Sequence, residues 1–449
     1  MAMCPGQSAS HVSFLGCNLA EASNSKRPSW TPQILVRWAS WLLNRVMADS
    51  DHRRLILRNF LPLDLCKELQ FIHKSCCAVG YRPNVFSTTL SHLIATNCSH
   101  LIMPIIPIRE RLKDAVEEYF KCTLQLFVEF TGLISWCKGA SIGWHSDNNK
   151  PYLKQRDFAA VCYLNSYDVD FKGGIFHFQD GEPEIILPMA GDVVLYTADE
   201  QNIHSVDEVT DGERITLTLW FSRDASHDED SKLISSLSEI SVDDFDDKCN
   251  SVLPIPAPIN MQWFPPEESS KFSSGFDIRC GRLHVLGFEL YSSEGIICGS
   301  PSEDSSRNLL ELLQEPLVLA KMDELSASTF ANATHALQVV LFYCWKFLDL
   351  KTELKVASSA EVSLASETQR AHTNHLKHIF VKDPQMAETF FGFRTRLNGD
   401  QNKFDWSGFS AAVSEWEAYT CRLHNELLLS LSHWRTHQFI FCFPHGKVE

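Results

Sequence analysis

The sequence predicts an α+β protein, in which a jelly-roll-like β-domain with supporting helices is followed by a mainly α-helical C-terminal domain. Three observations predict it. From Leu124 to Ser222, short apolar runs alternate with turn residues, and the gaps are too short for intervening helices. Before that stretch and after residue 259, apolar residues recur at helical spacing instead. An acidic and then proline-rich stretch, 231–258, divides the two textures.

Taken in order, residues 1–50 form a weakly ordered extension with no apolar h-region of a signal peptide. Trp30 to Met47 reads as an amphipathic helix, too short to span a bilayer and interrupted by Arg37 and Arg45. Met47-Ala48-Asp49-Ser50 has the character of a native start, so residues 1–46 are expected to be an added extension. The β-domain is expected over 51–230. Arg54-Leu55-Ile56-Leu57 reads as a strand, and Pro62–Gly80 and Pro107–Lys121 as helices, the second with Ile108, Leu112, Val116 and Tyr119 on one side. Strands are then expected at Leu124–Phe130, Phe158–Leu164, Gly174–Phe178, Glu184–Leu187, Asp192–Tyr196 and Arg214–Phe221. Such a series implies a sandwich or jelly roll. The run Asp243-Asp244-Phe245-Asp246-Asp247 lacks the glycine and alternation of a calcium loop and reads as solvated linker. In 259–449, an accessory domain, Asn308–Leu325, Ala336–Leu350 and His424–Trp434 are helical, and no catalytic motif is seen.

Charge narrows the function classes. A formal net charge of −16 argues against charge-driven binding to nucleic acid or anionic membrane, which needs a basic face. The 15 cysteines are scattered without a Cys-x-x-Cys pair, as expected of buried thiols in a reducing compartment. The expected location is therefore cytoplasmic, with the endoplasmic reticulum as the alternative.

Chemistry concentrates at Gly143-Trp144-His145-Ser146-Asp147. On a strand, residues i and i+2 share a face, so His145 and Asp147 are placed to bind one metal. An imidazole and a carboxylate suit Fe(II), and a distant second histidine completes a facial triad. His177, His204 and His227 are the candidates. His204 is favoured because it follows the strand Asp192–Tyr196 and precedes Arg214 by ten residues. A co-substrate that chelates iron through a carboxylate and a keto oxygen carries its far carboxylate ångströms away. A guanidinium on the neighbouring strand grips such a group in a bidentate manner, and Thr216 shares its face. The plainer alternative makes His145 a core histidine satisfied by Asp147 and His204 a turn cap. All four residues, in this order and among strands, are hard to explain that way. Trp144 and Trp220 are expected to pack the barrel.

With these residues in view, the region from Arg53 to Asp230 resembles the prolyl-hydroxylase class of Fe(II)/2-oxoglutarate oxygenases. The motifs are Trp136-Cys137-Lys138-Gly139 leading into His145-Ser146-Asp147, Tyr163-Leu164-Asn165, Gly173-Gly174-Ile175-Phe176 and Gly191-Asp192-Val193-Val194-Leu195-Tyr196. More narrowly it is similar to the prolyl 3-hydroxylase (leprecan-like) branch, through His145-Ser146-Asp147-Asn148-Asn149, Arg156-Asp157-Phe158-Ala159-Ala160 and Leu219-Trp220-Phe221-Ser222-Arg223-Asp224. The resemblance implies a double-stranded β-helix (a jelly roll), Fe(2+) at His145, Asp147 and His204, and 2-oxoglutarate at Arg214 with Tyr163 assisting. It further implies O2 as oxidant, ascorbate as reductant, and hydroxylation of prolyl or related side chains in a protein or peptide, yielding succinate and CO2. Collagen is not the expected substrate, because neither a secretory signal nor an ER-retention tail is seen. A small-metabolite hydroxylase and a catalytically dead scaffold serving as an interaction protein are the competing readings. The expected partners are a protein substrate and a protein bound by the C-terminal helices, with no nucleic acid and no membrane span.

Overall fold

The computed structural model describes residues 52–82, 84–122, 126–238, 253–263, 277–285, 327–354 and 406–442. The features expected within 1–50, the run Asp243–Asp247 and the helix expected at Asn308–Leu325 lie outside the described residues. Residues 49–449 fall in one compact unit.

Twelve strands make two antiparallel sheets among the described residues. They are β1 (Arg54–Leu57), β2 (Val79–Arg82), β3 (Val85–Thr89), β4 (Phe127–Cys137), β5 (Ile142–His145) and β6 (Phe158–Tyr163), followed by β7 (Phe171–Gly173), β8 (Phe176–Phe178), β9 (Ile185–Ile186), β10 (Val193–Thr197), β11 (His204–Val206) and β12 (Val209–Ser222). The larger sheet runs β1-β10-β6-β12-β4-β3-β2, with β7 paired to the start of β12; the smaller runs β5-β11-β8-β9. Their facing sides share one core. Ala159, Val161, Tyr163, Val194 and Tyr196 come from the large sheet, and Phe176, Phe178, Ile186 and Val206 from the small one.

Two helices back the large sheet. α1 (Leu63–Cys76) starts directly after Pro62 and buries Cys66, Leu69, Phe71 and Ile72. α3 (Ile106–Phe120) buries Ile108, Leu112, Val116 and Phe120, a strict i, i+4 row, and ends on Lys121 in the left-handed conformation. Between them lies the short α2 (Leu90–Ala95), capped by Thr89. Phe120 meets Phe158 of β6 with ring centroids 4.6 Å apart. Strand β6 is therefore covered on both faces, which is why Phe-Ala-Ala-Val-Cys-Tyr shows no polar alternation.

The chain after β12 continues on the helical side. α4 (Asp230–Ser238) occupies the beginning of the expected linker and buries Leu233, Ile234 and Leu237. Ile255 then donates its N–H to the Thr96 carbonyl at 3.1 Å, so the proline-rich stretch runs along the unit as a covering arm. α5 (Ile278–Val285), α6 (Ala327–Leu354) and α7 (Trp406–His437) complete the described helices. Phe71 of α1 lies 5.6 Å from Phe342, 5.5 Å from Trp345 and 6.1 Å from Tyr419, so α6 and α7 pack directly on the helix behind the sheet. Fully burying one such phenylalanine contributes about 1.5–3 kcal/mol, so this junction is a substantial apolar contact. Among the described residues no helix is long and apolar enough to cross a membrane.

Candidate active site

The small sheet brings the two histidines together. His145 ends β5, His204 begins β11, and the two are direct cross-strand partners with ring centroids 4.3 Å apart. Asp147 differs from expectation. Strand β5 ends at His145, and Asp147 sits in the following turn, where Asn148 donates its N–H to the Ala198 carbonyl at 3.1 Å. A turn, rather than the pleat of a strand, returns its carboxylate to the imidazoles. Its Oδ1 lies 3.9 Å from Nε2 of His145 and 3.8 Å from Nε2 of His204.

Hydrogen bonds fix which atoms face inward. Nδ1 of His145 is 2.8 Å from the Gly143 carbonyl, and Nδ1 of His204 is 2.9 Å from the Asn202 carbonyl. A carbonyl only accepts, so each Nδ1 carries the proton and each Nε2 keeps its lone pair. Burial pulls the pKa of His204 down, opposed by the nearby Asp147 carboxylate, which favours the neutral, ligating form. The three donor atoms lie within 4.8 Å of one another, and no other such group of His, Cys, Asp or Glu occurs among the described residues. Two imidazoles and one carboxylate with an open side are the donor set that suits non-haem Fe(II).

Arg214 lies on β12, opposite Trp136 of β4. It is buried, with its guanidinium 5.3 Å from the Tyr163 ring and 5.7 Å from the Trp136 ring. No carboxylate pairs with it among the described residues, and its Nε has no hydrogen-bond partner. Burial lowers its pKa, yet a guanidinium stays charged, so this is a desolvated cation awaiting an anion. Burial pushes the Tyr163 phenol up while Arg214 beside it pulls it down. Thr216, also buried, follows on the same inner face and pairs across to Tyr163. Two features hold Arg214 in place. Asn165 accepts from the Ile215 N–H at 2.9 Å and donates to the Glu213 carbonyl at 2.7 Å, bracketing it from both sides. At Gly174, where φ is +62°, a Cβ would stand 3.0 Å from Cδ of Arg214, so the double-glycine turn leaves room for the side chain.

The competing histidines are elsewhere. His177 pairs with Asp207 at 2.7 Å on the outside, and His227 lies 3.8 Å from Asp224. Trp220 packs against the core beneath Arg156, but Trp144 is 57% exposed, contrary to the packing expected of it. It lies on β5, at the edge of the small sheet, next to Gly143, which is also exposed. Two residues with evident roles in the geometry entered the sequence reading only within the resembling motifs, with no role of their own. They are Asn165 and Tyr196, whose hydroxyl donates to Oδ2 of Asp147 at 3.0 Å. A polar-tipped aromatic ending the run Val193-Val194-Leu195, in phase with inward Val194, was the available signal.

Residues 132–222, which include His145, Asp147, Tyr163, Tyr196, His204 and Arg214, match the family model described as the 2OG-Fe(II) oxygenase superfamily. These residues are a 2OG-Fe(II) oxygenase domain. The chain is 25% identical to prolyl 3-hydroxylase 1 of Gallus gallus over 223 residues, 39% of this chain and 30% of that protein. It is 34% identical to the human 2-oxoglutarate and iron-dependent oxygenase domain-containing protein 3 over 85 residues, 19% of this chain and 27% of that one. The chain thus spans less than a third of the length of either relative. A Pseudomonas putida prolyl-4-hydroxylase structure aligns at 20% identity and a TM-score of 0.32, over 39% of this chain and 95% of that one. The superfamily of the oxygenase domain implies Fe(2+), 2-oxoglutarate and O2, and the His145, Asp147, His204 donor set and the unpaired Arg214 both fit those groups.

Proposed function

We propose that this chain is a 2-oxoglutarate- and O2-dependent hydroxylase of prolyl or related side chains in a protein, releasing succinate and CO2. His145, Asp147 and His204 hold Fe(2+), and Arg214 receives the far carboxylate of 2-oxoglutarate with Tyr163 and Thr216 beside it. The observation that carries this reading is the buried, unpaired Arg214 in the same β-sandwich as a three-donor metal set. Metal sites serve many chemistries. A sealed guanidinium that needs a carboxylate narrows them to one that uses a dianionic co-substrate.

When bound, the iron and 2-oxoglutarate supply the oxidising power to hydroxylate an unactivated C–H bond with O2. The chain does the rest. The Gly143 and Asn202 carbonyls hold both imidazoles in the ligating tautomer, Asp147 supplies the anionic donor, and Arg214 fixes the co-substrate's orientation. The aromatic wall of Phe176, Phe178 and Tyr196 keeps bulk water from the His204 side. Exposed Trp144 and Tyr152, on either side of His145 and Asp147 in sequence, support a protein or peptide substrate over a small metabolite. Ascorbate is the proposed reductant that keeps the iron ferrous. Buried free thiols such as Cys76 and Cys77 support a reducing, cytoplasmic location, and the C-terminal helices are proposed to bind a protein partner.

The test is succinate formation from 2-oxoglutarate with Fe(II), ascorbate and O2, beside His204→Ala. Turnover lost in the variant supports the reading, and a peptide-versus-metabolite screen then separates the substrate classes. A protein that neither forms succinate nor binds 2-oxoglutarate when metal-loaded is the dead scaffold.

A further inference from the structure

We infer that Tyr196 is a positioning residue of the metal site, holding Asp147 to one-oxygen coordination so that a further position on the metal stays free. The inference rests on the proposed metal role of His145, Asp147 and His204.

The geometry is direct. Tyr196 is buried, and its hydroxyl lies 3.0 Å from Oδ2 of Asp147 and 3.5 Å from Nε2 of His204. A phenol has one proton to donate. The carboxylate oxygen is both nearer and charged, so the hydrogen bond goes to Asp147, and Nε2 of His204 keeps its lone pair. The ring cannot swing away. It is wedged edge-on against Phe178, with centroids 5.4 Å apart, and lies 6.0 Å from Phe176. Val194 and Tyr196 share the inner face of β10, and that strand is paired on both sides by β1 and β6, so the hydroxyl's position is set by the large sheet.

The consequence follows from counting oxygens. Asp147 has two, and Oδ1 is the one that lies within 4 Å of both Nε2 atoms. With Oδ2 engaged by Tyr196, the carboxylate offers the metal a single donor. Freed of that bond, a carboxylate readily turns to bind through both oxygens. A second oxygen would occupy a position that a chelating co-substrate and O2 need between them. The hydrogen bond also braces a ligand that sits in a turn rather than in a strand, where the backbone alone fixes it less firmly.

The test uses the full chain, metal-free, titrated with Co(II) by calorimetry, together with the visible absorption of the Co(II) form with and without 2-oxoglutarate. Tyr196→Phe keeps the ring and removes only the hydroxyl. It is expected to weaken Co(II) binding on the order of 10- to 100-fold, to change the Co(II) spectrum and to weaken 2-oxoglutarate binding to the Co(II) form. A Tyr196→Phe protein with wild-type affinity and spectrum overturns the inference. So does one that merely melts lower without metal while binding Co(II) normally, which is what a packing role gives. Should Tyr196→Phe not fold, 3-fluorotyrosine at position 196 keeps the hydroxyl and makes it a stronger donor. A shifted Co(II) spectrum then supports the inference and an unchanged one overturns it. Wild-type protein that binds no Co(II) at all removes the metal reading itself, an outcome distinct from equal binding by both proteins.

Discussion

The metal end and the anchor end of the β-sandwich are built on opposite principles. At the metal end every polar atom not aimed at the metal is satisfied. Both Nδ1–H groups meet carbonyls, and Oδ2 of Asp147 meets Tyr196. At the anchor end a guanidinium is buried without an anion. The first arrangement holds its ligand atoms in place and is stable before its ligand arrives. The second stores desolvation cost that only an anionic ligand relieves. The difference teaches that metal affinity here depends on pre-arrangement, whereas co-substrate affinity depends on an unsatisfied charge.

The most severe way to break this contrast is at the metal. His204→Ala or Asp147→Ala is expected to abolish stoichiometric Co(II) or Fe(II) binding, read by calorimetry, while leaving the far-UV circular dichroism unchanged. Arg214→Met then tests the other end. Losing charge-assisted hydrogen bonds of about 1.5–3 kcal/mol should raise the 2-oxoglutarate requirement roughly 10- to 100-fold. The same variant should leave the ligand-free protein as stable as wild type or more so, by about 1–4 kcal/mol, because an unpaired buried charge is replaced by an apolar chain. Urea denaturation without ligand checks this, and a large destabilisation would mean the cation has a partner in the folded chain.

Acid sharpens the comparison by acting on the helical layer instead. His73, His100 and His335 are fully buried, and desolvation lowers each pKa to about 3. They are neutral when folded, so the unfolded chain takes up protons first as pH falls below about 6.5. Stability is whole above that pH and declines progressively toward pH 3, each histidine costing about 2 kcal/mol at pH 5. Arg214 is charged across the whole window. Arg214→Met should therefore shift stability by a constant amount without moving the pH at which loss begins, and a moved onset would tie the anchor to the histidines.

How much of this was legible in the sequence depended on the kind of signal. His145 and His204 stand at strand ends, and Arg214 follows the turn signal Asp211-Gly212 within β12, so their order and spacing carried them, and the structure places them with Asp147 in one sandwich. The pleat argument for Asp147 failed because strand β5 stops two residues earlier, and a hydrogen bond from Asn148 to Ala198, far along the chain, shapes the turn. Strands β2 and β3 were missed because helical spacing ran on through Gly80 and Pro83 interrupts the rest. Strand β4 was read as ending at Phe130, yet it continues to Cys137 because β12 and β3 flank it on both sides. The expected helices Ala336–Leu350 and His424–Trp434 lie within longer ones, α6 and α7, whose polar residues such as His335, Gln338 and Thr420 are buried by tertiary packing that local periodicity does not reveal.

The smallest expected effect comes from the brace behind Arg214. Asn165 satisfies the Ile215 N–H and the Glu213 carbonyl with one side chain, just past the end of β6, where Leu164 donates its N–H to the Ile215 carbonyl at 3.0 Å. Removing it leaves two main-chain groups to find water in a nearly sealed position, at a cost of about 1–3 kcal/mol. Asn165→Ala should thus destabilise the ligand-free protein, which Arg214→Met does not. Its guanidinium remains but loses its fixed approach, so the 2-oxoglutarate requirement should rise only several-fold, less than in Arg214→Met. At one fixed 2-oxoglutarate concentration, the co-substrate should stabilise Asn165→Ala more than Arg214→Met, which binds it more weakly. Thermal melts of the Co(II)-loaded variants with and without 2-oxoglutarate check this. An equal gain in both variants would mean that Arg214 contributes no more to co-substrate binding than its brace does, and the contrast between the two ends of the site would fall.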